Sequence, residues 1–307
     1  MSVVPVDILA FGEPMIEFND TGKDRLWLSG FGGDTSNAAI AAARLGARVG
    51  YFTALGPDAF GQAFRDLWAR EGVDASTVIT DPAAHTAVYF VTHGPDGHAF
   101  SYLRAGSAAS RVKPADLPAD AIAAAKVLHV SAISQAISPT ACDAVFAAIR
   151  IAREAGAKVS YDTNLRLRLW PLDRARAVIE ATAALSHILL PGLDDARLLT
   201  GLEDPDAICD HYLAKGVEIV ALTLGKDGSL VATPERRERI PPIACRAVDA
   251  TGAGDAFDGG FLTEWLQSGD PFRAGRFANV VAGLSTEGYG AVEPLPRRDA
   301  ALARLGG

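Results

Sequence analysis

Cysteine is scarce in this chain: three residues in 307, at positions 142, 209 and 245. An odd, widely spaced set gives neither a disulfide framework nor a thiolate metal site, so Cys142, Cys209 and Cys245 are expected to be reduced core residues. No apolar run approaches the ~18 residues of a spanning helix. The first ten residues, MSVVPVDILA, lack a basic cluster ahead of an apolar stretch. No membrane span or secretory leader is expected, and a cytoplasmic location is. Positive charge is also in short supply. The 29 Lys and Arg face 37 Asp and Glu, a formal net charge of −8, which argues against nucleic acid or anionic membrane as partner. Two nucleotide signatures are missing as well. There is no G-x-x-x-x-G-K-[ST] loop. The first predicted strand runs into Gly12-Glu-Pro-Met15 instead of G-x-G-x-x-G, which excludes a dinucleotide dehydrogenase. Internal repeats and low-complexity linkers are absent too.

What the chain has in plenty is apolar sequence, 49% of its residues. That supports one large α/β domain with a small appendage. Apolar runs at 6–12, 48–55, 126–131, 158–162, 186–190 and 219–224 read as strands, and 36–45, 59–71, 139–155, 174–184, 208–215 and 256–266 as helices. Strands alternating with helices predict a mostly parallel sheet covered on both faces. Two segments break the rhythm. Residues 15–31 carry Trp27 and Leu28 among polar residues with no helical period. Residues 85–103 set Val88, Phe90, Phe100 and Tyr102 around a Gly-Pro-containing turn at 93–97, the pattern of a hairpin with one apolar face. They read as two surface hairpins or as one small sheet standing off the core. The expected division is 1–14, 32–84 and 104–307 for the core against 15–31 and 85–103 for the small sheet.

The most informative string is Asp249-Ala-Thr-Gly-Ala-Gly-Asp255, which opens an apolar helical run. A turn of small residues at a helix N-terminus leaves backbone N–H groups unpaired, and with the helix dipole these make an anion site. Asp255 in the same first turn can take the proton of a hydroxyl that attacks a phosphate. Gly252, Ala253 and Gly254 supply the anion hole. Taken alone, a Gly-rich turn with a first-turn Asp is also an ordinary turn and a dipole partner.

Other strings cluster around it. Phe31-Gly-Gly-Asp-Thr-Ser-Asn37 opens a helix; Gly32 and Gly33 allow close backbone approach, and Asp34 and Asn37 offer hydrogen bonds to sugar hydroxyls, though Asp34 serves equally as a helix cap. Tyr102-Leu-Arg104 and Asp162-Thr-Asn-Leu-Arg166-Leu-Arg168 place arginines, the residues suited to planar recognition of a carboxylate, beside predicted strands; a surface ion pair is the plainer reading of each. Thr223-Leu-Gly-Lys-Asp-Gly228 follows a strand and by itself marks only a turn.

Together these strings resemble the PfkB, ribokinase-like carbohydrate kinases. The Tyr102-x-Arg104 and Asp162-x-Asn164-x-Arg166 segments resemble those of 2-keto-3-deoxygluconate kinases within that family. The resemblance implies a three-layer α/β sandwich with a mostly parallel central sheet and a small β-sheet lid, which also offers a face for pairing copies into a homodimer or higher oligomer. It implies ATP and Mg²⁺, and phosphorylation of the terminal hydroxyl of a 2-keto-3-deoxy sugar acid. A neutral-sugar kinase of the fructokinase or ribokinase kind stays open, as does a catalytically silent sensor of the same fold. By resemblance, Gly32, Gly33, Asp34, Asn37, Tyr89, Tyr102, Arg104, Arg166 and Asp255 surround the sugar acid. Arg168, Thr223, Gly225, Lys226, Gly228, Gly252, Gly254, Asn279 and Ala282 surround the nucleotide. Asp249 and Thr251 resemble a monovalent-cation site suited to K⁺. Where the family commonly has N-x-x-E, this chain has Gly192-Leu-Asp-Asp195, so Asp195 takes the place expected to organise water on Mg²⁺.

Overall fold

A computed structural model describes residues 5–94 and 97–305. The central sheet begins with β1 (Ile8–Phe11), whose four residues are all buried. A small sheet interrupts at once, with β2 (Met15–Asp20) and β3 (Trp27–Gly32). The chain then returns to β4 (Val49–Phe52), the two-residue β5 (Ala54–Leu55), β6 (Val73–Asp74) and β7 (Ile79–Thr80) before leaving again for β8 (Ala87–Gly94) and β9 (Gly97–Leu103). The remaining strands are β10 (Val127–Ser131), β11 (Lys158–Asp162), β12 (Ile188–Leu190), β13 (Ile219–Thr223), β14 (Ser229–Ala232) and β15 (Arg237–Ile240).

Nine strands form the central sheet in the order β15-β14-β13-β12-β11-β10-β1-β4-β6, parallel from β13 to β6 and antiparallel at β14 and β15. Its strands read as unbroken apolar runs because both faces are covered. Leu9, Phe11, Leu128, Val130, Val159 and Tyr161 pack on one side against the helix Pro139–Glu154. Ile8, Ala10, Val49, Tyr51 and Val127 pack on the other against the helices Asp34–Arg44, Ala253–Ser268 and Pro271–Ser285. The result is a three-layer sandwich. Among the described residues no helix is long and apolar enough to cross a membrane.

The two irregular segments form one four-stranded sheet, β3-β2-β8-β9, and not two separate hairpins. Met15–Asn19 run parallel to Ala87–Val91 at its centre. The turn expected at 93–97 falls partly on residues 95 and 96, outside the described residues. Elsewhere the boundaries shift for local reasons. The run at 48–55 breaks at Thr53, because β5 pairs with β7 instead of continuing β4. The helix expected at 36–45 starts at Asp34, because Gly33, at φ 109°, takes the cap position. Asp34 therefore does not cap this helix.

Candidate active site

Parallel α/β sheets gather ligands at the carboxyl ends of their strands, where the strand order reverses. Here β1 lies between β10 and β4, and a cavity of about 710 Å³ opens over those ends. Glu13 beyond β1, Asp162 on β11, Leu190 on β12 and Thr223 on β13 all face it. Tyr89, Phe100 and Tyr102 of the small sheet form the opposite wall.

The turn 250–255 closes one end of the cavity. Gly252 precedes the helix Ala253–Ser268 at φ 75°, and a Cβ there would come within 3.0 Å of Ala291, so both conformation and space require glycine. Gly254 is different. A Cβ on it would meet no protein atom within 4 Å; the space beside it is cavity. Asp249 braces the turn. Its Oδ1 accepts from Thr251 N at 2.9 Å and Thr251 Oγ1 at 2.7 Å, and its Oδ2 from Gly290 N at 2.9 Å. The amides of Gly254 and Asp255 stand in the first helical turn, where no carbonyl four residues back is placed to receive them.

Asp255 is half-buried at this end. Its Oδ2 accepts from Asn37 Nδ2 at 2.8 Å. Asn37 is 4% exposed, and its own Oδ1 has no hydrogen-bond partner. Burial and then the charge of Asp34 push the Asp255 carboxyl well above the usual carboxylate range, while the Asn37 bond and Arg166 pull it back. Asp34, Asp162, Asp195 and Asp258 also line the cavity. Asp34 accepts from Ser131 Oγ, from Asn164 Nδ2 at 3.3 Å and from Thr35 N at 2.8 Å. Asp162 is raised to about 7, by burial and then by Asp34. Asp258, 3% exposed and one helical turn beyond Asp255, is raised by burial and by the charges of Asp162 and Asp255.

The arginines are already engaged. Arg104 Nε donates to Glu13 Oε2 at 2.8 Å and Arg104 Nη2 donates to the same oxygen; Ser107 Oγ donates to Oε1 at 2.6 Å. The guanidinium also lies 5.5 Å from the Tyr102 ring centroid. Arg166 Nη1 donates to Leu165 O at 2.9 Å and stands 4.0 Å from Asp195 Oδ2, which accepts from Leu165 N at 2.9 Å. Arg168 Nη1 donates to Phe100 O at 2.9 Å, spanning from the loop after β11 to β9.

The chain that builds this geometry has relatives among known proteins. It matches the pfkB family carbohydrate kinases over residues 7–298. The chain belongs to that family. This pfkB kinase is 33% identical over 304 residues to a 2-dehydro-3-deoxygluconokinase of Bacillus subtilis (strain 168), covering 96% of this chain and 94% of that protein. It is 34% identical over 319 residues to fructokinase-2 of Solanum habrochaites, covering 98% and 96%. The solved fructokinase of Xylella fastidiosa with bound ATP superposes at a TM-score of 0.89 with 26% identity, covering 97% of this chain and 98% of that one. The protein is thus a sugar kinase, a phosphotransferase with an alcohol acceptor. Relatives of comparable identity differ in sugar, so membership leaves the substrate open.

The kinase's cavity brings together Gly33, Asp34, Asn37, Tyr89, Tyr102, Arg104, Arg166, Arg168, Asp195, Thr223, Thr251 and the turn Gly252, Ala253, Gly254 and Asp255. Gly32, Gly225, Lys226, Gly228, Asp249, Asn279 and Ala282 do not line it. Gly32 makes room for a side chain: a Cβ there would come within 2.6 Å of the Tyr89 hydroxyl. Gly228, at φ 88°, is required by the β13–β14 turn, where a Cβ would strike Ile240 O. Asn279 Nδ2 donates to Ile240 O and Pro241 O, both at 3.1 Å, tying its helix to the chain after β15. Arg168 lines the cavity and also reaches the small sheet through Phe100 O. Glu13, Ser131 and Asp258 were missed by sequence reasoning. Asp258 had a signal: a carboxylate at i+3 from Asp255 in an apolar helix lies on the same face.

Proposed function

We propose that this kinase transfers the γ-phosphoryl group of ATP to the terminal hydroxyl of 2-keto-3-deoxygluconate or a close 2-keto-3-deoxy acid. The observation that carries phosphoryl transfer is Asp255, held by Asn37 beside the open amides of the helix Ala253–Ser268. The acid reading is supported by Arg104 over Tyr102 and by Arg166 at the same cavity, and by the similarity to the B. subtilis 2-dehydro-3-deoxygluconokinase.

In this reading Asp255 accepts the proton of the attacking hydroxyl, and its raised affinity for protons suits it to that task. Asn37 orients it. Asp34, fixed by Ser131, Thr35 and Asn164, accepts from sugar hydroxyls. The amides of Gly254 and Asp255 receive phosphate charge, and the room beside Gly254 fits a phosphate. The small sheet acts as a lid that excludes water. Among the described residues no group of three or more His, Cys, Asp or Glu forms a metal cage. The aspartates fit Mg²⁺ arriving with the nucleotide, since that ion binds through one or two carboxylates and substrate phosphates, with Asp195 holding its water. Bound there, Mg²⁺ supplies charge neutralisation on the phosphates. Asp249, which braces the turn, and the Thr251 carbonyl would hold K⁺ beside it.

One observation favours a second reading, a neutral-sugar kinase: Glu13 already balances the Arg104 charge, and six carboxylates line a cavity with three arginines. The test is ADP release with ATP and a panel of 2-keto-3-deoxygluconate, 2-keto-3-deoxygalactonate, fructose, ribose and adenosine. The proposal expects the highest kcat/KM with a keto acid. A preference for fructose or ribose establishes the second reading, and no ADP release with any sugar refutes both.

A further inference from the structure

Behind the cavity wall formed by the small sheet lies a buried carboxylate that does not itself line the cavity. Glu17 on β2 is the register partner of Tyr89 on β8, and both are buried. The Tyr89 hydroxyl donates to Glu17 Oε2 at 2.5 Å. The other oxygen, Oε1, accepts from Asn19 Nδ2 at 3.5 Å. Asn19 Oδ1 lies 2.6 Å from His93 Nε2, a contact that the Nε2–H tautomer of His93 completes with the Asn19 nitrogen toward Glu17. Among the described residues Glu17 has no ion-pair partner.

A phenol has one proton to give. Tyr89 gives it to Glu17, so only lone pairs face the cavity. Burial and then the Glu17 charge push Tyr89 ionisation far above its ordinary range, so that proton stays in place. Asn37 Nδ2 gives one of its two hydrogens to Asp255, and its unpartnered Oδ1 offers a further acceptor. The Tyr89 hydroxyl and Asn37 Oδ1 therefore offer acceptors to the cavity, beside donors that include Arg104, Arg166, the Tyr102 hydroxyl and the turn amides.

We infer that Glu17 is a specificity-determining residue acting through Tyr89: it fixes the Tyr89 hydroxyl as an acceptor with negative charge behind it. A substrate is then seated with a hydroxyl group, and not a carboxylate oxygen, toward the Tyr89 oxygen. This inference rests on the proposed sugar-kinase reading of the same cavity, and it assigns the orientation of the substrate in it.

The test is Glu17→Gln. Asn19 Nδ2 engages the new amide oxygen, leaving the amide nitrogen to donate to Tyr89, whose proton then turns into the cavity. The charge is lost as well, and both changes relieve an anionic substrate. The ratio of kcat/KM for 2-keto-3-deoxygluconate over fructose is expected to rise about tenfold, the size of one hydrogen bond, chiefly through KM. In a Tyr89→Phe background the shift should fall to less than half. An unmoved or lowered ratio overturns the inference, as does an equal shift with and without the Tyr89 hydroxyl. If Glu17→Gln does not fold, Glu17→Asp withdraws the carboxylate from Tyr89 and is expected to raise the same ratio by a smaller factor; a lowered or unmoved ratio again overturns it. Wild-type enzyme that phosphorylates neither sugar refutes the proposed function itself, and an active wild type with an unmoved ratio refutes only this inference.

Discussion

Asn37 and Asp255 stand 218 positions apart in the chain and meet amide nitrogen to carboxylate oxygen at 2.8 Å. The contact joins the first turns of the helices Asp34–Arg44 and Ala253–Ser268, one beside the acceptor groups for the sugar and the other beside the anion turn. Asp255→Asn is expected to lower kcat by about 10²–10⁴-fold, the usual loss on removing a general base. ATP affinity, measured by calorimetry, should stay near that of the wild type. A variant with wild-type kcat removes Asp255 from the role of base.

Arg104 and Glu13 are buried together, so removing one leaves the other uncompensated. Arg104→Ala is expected to cost about 3–5 kcal/mol of stability, measured by chemical denaturation, and Glu13→Gln combined with Arg104→Ala to recover much of it. Catalysis separates the roles. If Arg104 also reaches the substrate carboxylate, keto-acid kcat/KM falls about 10- to 150-fold more than fructose kcat/KM, the worth of a charge-assisted hydrogen bond. Arg104→Lys restores only part, because a point charge lacks the planar fork. Equal losses for both sugars reduce Arg104 to the partner of Glu13 and support the neutral-sugar reading.

Asp258 carries a pH signature. Its proton affinity is raised on folding by burial and by the neighbouring aspartates. The folded state therefore binds this proton more tightly than the unfolded state does, and stability is lost as pH rises above the unfolded carboxylate value of about 4. Asp258→Asn removes that loss. Its Tm is expected to exceed that of the wild type at pH 7.5, with the difference shrinking toward pH 4. The gain is at most about 1.4 kcal/mol for each pH unit between the two values. A Tm difference that stays constant with pH contradicts the assignment.

Arg168 tethers the loop after β11 to β9 through Phe100 O. If the small sheet closes over the sugar, Arg168→Ala should let water compete for the phosphoryl group. ADP released should then exceed sugar phosphate formed, with a ratio near one in the wild type. A ratio of one in the variant makes the tether irrelevant to closure.

The central sheet was legible because parallel strands buried on both faces read as unbroken apolar runs, as in Ile188–Leu190 and Ile219–Thr223. The turn at Gly252 was legible because backbone demands there leave few residue choices. Pairings across distant segments were not. Glu13 and Arg104 lie 91 positions apart, and neither residue type announces its partner. Gly32 was expected beside the sugar because a glycine marks close approach without saying to what; the approach is by the Tyr89 ring. The tie from Arg168 to Phe100 O was not legible either, since a long flexible side chain leaves its direction unspecified by position.

The most direct measurement is ³¹P NMR of the product formed from ATP and 2-keto-3-deoxygluconate. The account expects a new phosphomonoester signal coupled to two methylene protons, which marks the terminal carbon, in an amount equal to the ADP. Inorganic phosphate alone, or an ester on a secondary carbon, contradicts it.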